Sequence, residues 1–254
     1  MKIVTWNING LRAALRKGAF VQLQNLDADV ICLQEIKARP DQLTPDDHRT
    51  FDGFTPTWNP ALRPGYSGVA TFTRTQPQKF TLGLGYPAFD QEGRVICHRY
   101  PNFWLFNIYF PSGQRGMGRV AFKLDFYKTL FDVCERLQAA GENVILCGDF
   151  NTAHQKIDLK NWRQNIHTSG FLPEERAWID RYLESGFVDI YRYLYPERVQ
   201  YTWWAYFGDA RKRNTGWRLD YFLVSKQLIP HIRDTVIHDD IVGSDHCPVS
   251  LIID

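Results

Sequence analysis

Short apolar runs that end abruptly in polar residues constrain this chain more than any other feature. Val144-Ile145-Leu146-Cys147 reads as a buried strand, and it runs straight into Gly148-Asp149-Phe150-Asn151. Val30-Ile31-Cys32-Leu33 ends in Gln34-Glu35, and the run 2–6 ends in Asn7-Ile8-Asn9. Ser244-Asp245-His246-Cys247-Pro248 directly precedes a last apolar run, 249–253. Apolar runs of this length, bounded by turn signals, are characteristic of strands buried in a sheet. Others occupy 68–73, 95–99, 103–109, 201–204 and 219–224, with Pro64-Gly65 and Pro111-Ser112-Gly113 as punctuation. Such a chain must pair many strands, and it carries Asn, Glu, Asp or His at several of their ends.

Helical spacing is rarer. It is found over 13–26, through Leu15, Ala19 and Leu23, and over 119–140, through Phe122, Phe126, Leu130 and Val133. A third helix is predicted over 174–185, opened by Pro173 and closed by Gly186. Many strands with few helices predict sheets packed face to face with helices outside, and the strict alternation of a doubly wound parallel fold is absent. No repeat, low-complexity tract or Gly/Ser-rich linker interrupts the 254 residues, so 1–254 is expected to form one domain.

No apolar stretch is long enough to span a bilayer, and the N-terminus lacks a signal-peptide pattern, so a cytoplasmic location is expected. The five cysteines are odd in number and include no Cys-x-x-Cys, which argues against a disulfide framework or a zinc ribbon. Cys32 and Cys147 lie inside apolar runs, where reduced cysteine serves as a small hydrophobe. The net charge of +2 does not by itself announce a nucleic-acid binder. Basic residues do cluster locally, at Arg211-Lys212-Arg213 and at Arg115, Arg119 and Lys123, a pattern that also describes an ordinary solvated face.

In extended chain, residues i and i+2 point the same way, so Asp149 and Asn151 are expected to aim together beyond their strand. Oxygen ligands without thiolates suit a hard cation, Mg²⁺ or Mn²⁺, rather than zinc. Such an ion could polarise a phosphoryl oxygen, while Asp149 deprotonates a water and His246 orients or neutralises the phosphate. Gly148 would permit a close backbone approach in a crowded coordination site. Plainer readings stand beside these: Asn7 and Asn9 as a turn before Gly10, Glu35 as a solvated strand end, Asp245 as a loop cap. The residues alone leave both sets open, although a turn does not account for the buried strand that precedes Asp149-x-Asn151.

At these positions the chain resembles the exodeoxyribonuclease III and abasic-site endonuclease family of the endonuclease/exonuclease/phosphatase superfamily. The resemblance rests on Trp6-Asn7-Ile8-Asn9-Gly10, Leu33-Gln34-Glu35, Asn107-Ile108-Tyr109-Phe110-Pro111, Gly148-Asp149-Phe150-Asn151, Trp217-Arg218-Leu219-Asp220-Tyr221 and Ser244-Asp245-His246-Cys247-Pro248. Six motifs in family order are far more specific than any one of them. The resemblance implies a four-layered α/β sandwich, with two mainly antiparallel sheets packed together and flanked by helices. It implies hydrolysis of the phosphodiester 5′ to an abasic site in double-stranded DNA, leaving a 3′-hydroxyl, with action on blocked 3′ ends; a monomer is the default expectation.

Carried over residue by residue, Glu35 is the principal Mg²⁺ ligand, with Asn7 and Asp245 near and with Asp149, Asn151 and His246 completing the metal surroundings. Asp149 activates the water or protonates the leaving group, Asn151 orients the nucleophile, and His246 contacts the scissile phosphate. Asp220 orients that histidine, and Tyr109 binds the phosphate or aids the leaving group. Trp203, Trp217 and Leu219 correspond to the wall of a pocket for the extruded abasic sugar, where a missing base lowers the cost of flipping. Arg115 and Asn165 correspond to further DNA contacts. Of Trp203 and Trp204, one is expected in the pocket and the other in the core. The chain departs from relatives at Asn9, Trp162 and Phe207, which bears on metal affinity and on loop contacts. Two other readings are a phosphatase of the same superfamily acting on a small substrate, and a noncatalytic DNA-binding module. The basic aromatic stretch 201–217 fits DNA better than the first, and the competent side chain at every expected position argues against the second.

Overall fold

A computed structural model describes residues 1–254. In chain order the strands are β1 (Lys2–Asn7), β2 (Val30–Gln34), β3 (Thr55–Asn59), β4 (Val69–Thr73), β5 (Lys79–Leu82), β6 (Val95–Arg99) and β7 (Trp104–Tyr109). They continue as β8 (Val144–Asp149), β9 (Phe187–Asp189), β10 (Trp203–Trp204), β11 (Gly216–Trp217), β12 (Asp220–Ser225), β13 (Ile232–Ile237) and β14 (Val249–Ile253). The helices are α1 (Leu11–Arg16), α2 (Ala19–Gln24), α3 (Pro45–Arg49), α4 (Pro87–Asp90), α5 (Met117–Ala139), α6 (Pro173–Glu184) and α7 (Ile190–Leu194).

Two six-stranded sheets result, ordered β13-β14-β1-β2-β4-β3 and β5-β6-β7-β8-β12-β9, with a short β10-β11 ribbon beside them. Each large sheet has one parallel pair at its centre, β1–β2 or β7–β8, and is otherwise antiparallel. The period-two alternation of the strands assigns their faces. Ile3, Val30 and Cys32 meet Leu105, Ile145 and Cys147 between the sheets. The alternate residues Val4, Ile31 and Leu33 pack against Leu11, Phe20 and Leu23 of α1 and α2, while Phe106 and Leu146 pack against Phe126 and Leu130 of α5 and Ile179 of α6. Helix, sheet, sheet and helix therefore form the four expected layers.

The strands that the apolar pattern does not reveal include β3, β5, β9 and β13, and these are the four outer edges of the two sheets. An edge strand is covered on fewer sides and needs no continuous apolar run; all of β5 is exposed. The helix predicted over 13–26 is two helices, because Gly18 turns into the left-handed region at φ +72° between them. Of the run 201–204, only Trp203 and Trp204 are in a strand.

Topology gathers the polar strand ends. β1 and β2 run parallel with Asn7 opposite Gln34, and β7 and β8 run parallel with Tyr109 opposite Asp149. β12 runs against β8 with Asp220 opposite Asp149, and β14 runs against β1 just after Asp245 and His246. All of these ends share one pole of the sandwich.

Candidate active site

At that pole lies a cleft of about 590 Å³. Asn7, Glu35, Tyr109, Asp149, Asn151, Asp245 and His246 line it, and so do Asn165, Trp203, Trp217 and Leu219. Asp220 lies behind it, with Oδ2 2.8 Å from His246 Nδ1. Arg115 is the one proposed site residue placed elsewhere: it borders an adjacent shallow groove with Arg63, Tyr66 and Glu92.

Asp149 and Asn151 do meet, but not as neighbours on an extended strand. Asn151 is left-handed at φ +51°, and its N–H donates to Asp149 Oδ1 at 2.7 Å while Nδ2 donates to Oδ2 at 3.2 Å. Asn9, at φ +46°, likewise donates its N–H to Asn7 Oδ1 at 3.0 Å. The turn and the functional reading are therefore the same geometry, since closing the turn is what aims each side chain. Glu35 is also left-handed, at φ +52°, a conformation that costs Glu more than Asn. Such strain persists only where the surroundings over-determine it. Gly148, at φ +137°, is required for a different reason than coordination: a Cβ there would lie 1.9 Å from the carbonyl oxygen of Ile108 on β7.

The cleft floor is a linked set of charges. Asn7 Nδ2 donates to Asp149 Oδ2 at 2.8 Å, and His246 Nε2 stands 3.8 Å from the same oxygen. Burial, aided by Asp220, outweighs the nearby imidazole and hydrogen bonds and pushes Asp149 up to about 7. Burial opposes a charged His246, but Asp220 and Asp149 overcome it and raise the imidazole to about 10. Tyr109 is buried against Glu35, to which its hydroxyl donates, and both effects hold the phenol well above its ordinary range. Asp245 accepts from Asn9 Nδ2 at 2.9 Å and from Trp203 Nε1 at 3.0 Å. Burial would raise Asp245, yet His246 and these donors keep it below the usual carboxylate range.

Lys37 is a cleft residue that the sequence reading does not single out. Its ammonium is 3.2 Å from Glu35 Oε2 and donates to Asn9 Oδ1. The available signal is its position two residues after Glu35 in a motif otherwise read for its carboxylate. Trp204 is buried in the core and Trp203 is in the cleft, as expected of that pair. The basic clusters divide: Arg213 lines the cleft, Arg211 donates to the backbone of Ile241 at 2.6 Å, and Lys123 is fully buried rather than solvated.

The donor set suits a cation. Glu35 pairs with Lys37, and Asp149, Asp220 and Asp245 face His246, while Lys160 and Arg213 also line the cleft. Ligand atoms of Asp149, Asp220 and His246 lie within 4.8 Å of one another, close enough to hold a metal ion. Asn7, Glu35 and Asp245 line the same cleft and add further oxygen donors suited to a hard cation. All five cysteines are free and buried, and none lines the cleft.

The Endonuclease/Exonuclease/phosphatase family model matches residues 4–246. The chain belongs to that family. It is 44% identical over 257 residues to an exodeoxyribonuclease of Bacillus subtilis, covering 100% of this chain and 99% of the relative. It is 41% identical over 265 residues to the DNA repair nuclease APEX1 of Danio rerio, covering 100% and 82%. An AP endonuclease of Leishmania major superposes with a TM-score of 0.89 at 30% identity, over 100% of this chain and 87% of that one. Family membership makes the chain a phosphodiesterase-type hydrolase, and it places the four-layered sandwich within the DNase I-like fold.

Proposed function

We propose that this protein is a Mg²⁺-dependent DNA repair nuclease that hydrolyses the phosphodiester 5′ to an abasic site and leaves a 3′-hydroxyl. Shortening or dephosphorylation of blocked 3′ ends is an accompanying activity. The observation that carries this reading is one cleft holding both an oxygen-rich, negatively charged floor and a wall of Trp203, Trp217 and Leu219. The floor suits phosphate chemistry, and the wall suits a sugar extruded from a duplex.

Asp149 is the general base, its oxygens fixed by Asn7 and Asn151 beside His246. His246, kept protonated by Asp220, places positive charge on the scissile phosphate. Tyr109 keeps its proton beside Glu35 and binds the phosphate or aids the leaving group. Glu35, with Asn7, Asp245 and the adjoining oxygen of Asp149, would hold Mg²⁺, for which Mn²⁺ can substitute. Bound there, the cation supplies charge stabilisation to the phosphoryl oxygens. Asn151 orients the attacking water, and Asn165 and Arg115 contact the DNA backbone, Arg115 from outside the cleft. The protein acts as a monomer of one domain, 1–254, a reading supported by the pairing of its first strand with its last into one sheet. No helix is long and apolar enough to cross a membrane, and the free cysteines support a reducing compartment, the cytoplasm.

The test is cleavage of an end-labelled duplex with a single abasic-site analogue, beside an undamaged duplex, in Mg²⁺ or EDTA. Mg²⁺-dependent incision 5′ to the lesion is expected. Trimming of 3′ ends alone would retain the floor assignment and remove the abasic pocket.

A further inference from the structure

Lys123 lies close in sequence to Arg115 and Arg119, yet its side chain has no exposed area. It projects from α5 behind the cleft, and Nζ donates to Asn151 O at 2.7 Å and to Glu175 Oε1 at 2.8 Å. Glu175, in the first turn of α6, is equally buried. Its carboxylate also accepts from Ser169 Oγ at 2.8 Å, Gly170 N at 2.5 Å and Leu172 N at 3.1 Å. One ion pair thus grips two parts of the cleft, the Asp149–Asn151 turn and the wall at Ser169 and Gly170. Those parts touch directly as well. A Cβ on Gly170 would come within 3.2 Å of Asn151 O and 3.3 Å of the Trp217 ring.

A buried ion pair is a weak source of stability, because desolvating two charges offsets most of their attraction, and an apolar pair of equal volume often serves as well. Burial accordingly pulls Lys123 below the usual lysine range, against the pull of Glu175. What an apolar pair would not supply is a fixed relation between a carbonyl on one loop and an amide on another. Asn151 needs such fixing, since its left-handed backbone is held by only a few groups: Lys123 on its carbonyl, Asp149 on its N–H, and Phe110 O on its side chain at 2.9 Å.

We propose that Lys123 and Glu175 are a positioning pair for the cleavage reaction, Lys123 acting through Asn151 on the Asp149 turn and Glu175 through Gly170 on the facing wall. The proposal rests on the assignment of Asn151 to that reaction.

The test measures kcat and KM on the abasic-analogue duplex for Lys123→Met in two backgrounds, otherwise wild type and Asn151→Ala, with thermal melting alongside. In the first, kcat should fall about 10- to 100-fold with KM changed less than about 3-fold, the scale expected when a reacting group is slightly misplaced. In the second, the same change should cost less than about 3-fold, because the group through which Lys123 acts is gone. Equal losses in both backgrounds overturn the proposal, as does unchanged kcat in a folded Lys123→Met enzyme. Wild-type kcat in Asn151→Ala alone overturns the assignment of Asn151 beneath it, so the two failures are told apart. Should Lys123→Met not fold, Lys123→Met/Glu175→Gln removes the uncompensated carboxylate and allows the same comparison.

Discussion

Asp158 and Asp149 are both buried aspartates beside the segment that carries Arg218 and Asp220, yet their carboxyls shift in opposite directions. Asp158 Oδ1 accepts from Arg218 Nε at 2.8 Å and from Arg192 Nη2 at 2.5 Å, and Arg218 Nη2 also reaches Asp189 Oδ2 at 2.7 Å. Two guanidiniums answer two carboxylates there. Burial alone would raise Asp158, but the arginines overcome it and hold the group at about 2. At the cleft floor Asp149, Asp220 and Asp245 share the single imidazole of His246, and Asp149 rises to about 7. Both clusters are desolvated, so desolvation does not distinguish them; charge balance does. The balanced cluster is complete within the chain and works as a staple under the segment 217–220, between β11 and the start of β12. The unbalanced one is left with a proton affinity and a cation affinity to use on a substrate.

The sharpest break of this comparison is Asp149→Asn. Cleavage should fall on the order of 10³-fold or more, the upper range for losing a general base, while the variant still folds and binds abasic DNA. Wild-type-like turnover in a cleavage assay would return Asp149 to a purely structural role. The converse change is Arg218→Met, which strands Asp158 and Asp189 without their shared partner. Urea unfolding should report a loss of about 3–5 kcal/mol, as when one member of a buried pair is removed. A loss below about 1 kcal/mol would mean that balance is not what makes this cluster a staple.

The smallest effect is expected from pH. A carboxyl depressed in the folded state stabilises the fold above its unfolded pKa, near 4, and that stability is lost as pH falls toward 2. For Asp158 a shift from 3.8 to about 2 corresponds to about 2–3 kcal/mol. Stability measured between pH 4 and pH 2 should therefore fall less steeply in Asp158→Asn than in the wild type. Parallel acid limbs would assign that loss to other groups.

Much of the cleft floor is legible in the sequence, because Asn7, Glu35 and Asp149 are polar residues at or just beyond the ends of apolar strands. The balanced cluster was not legible: Arg218 stands in a motif read for its neighbours, and its partners Asp189 and Asp158 lie 29 and 60 residues away in the chain. Lys123 and Glu175 were hidden for a related reason, since each sits on a helix whose exposed face also carries charge. Arg115, which the resemblance gives as a DNA contact, borders a groove with Arg63, Tyr66 and Glu92 rather than the cleft.

By itself, then, the sequence determined which segments pair as central strands and which polar residues stand at their ends, because alternation and apolar length report burial locally. The same local rule missed the four edge strands, of which β5 is wholly exposed and β9 is only three residues long. Only the tertiary structure decided that Asn9 would meet Asp245, 236 residues away, and that Asn9, Glu35 and Asn151 would be held left-handed around one cleft. It also decided which buried charges found partners and which did not. Electrostatic balance depends on what the fold brings within a few ångströms, and no stretch of adjacent residues encodes that distance.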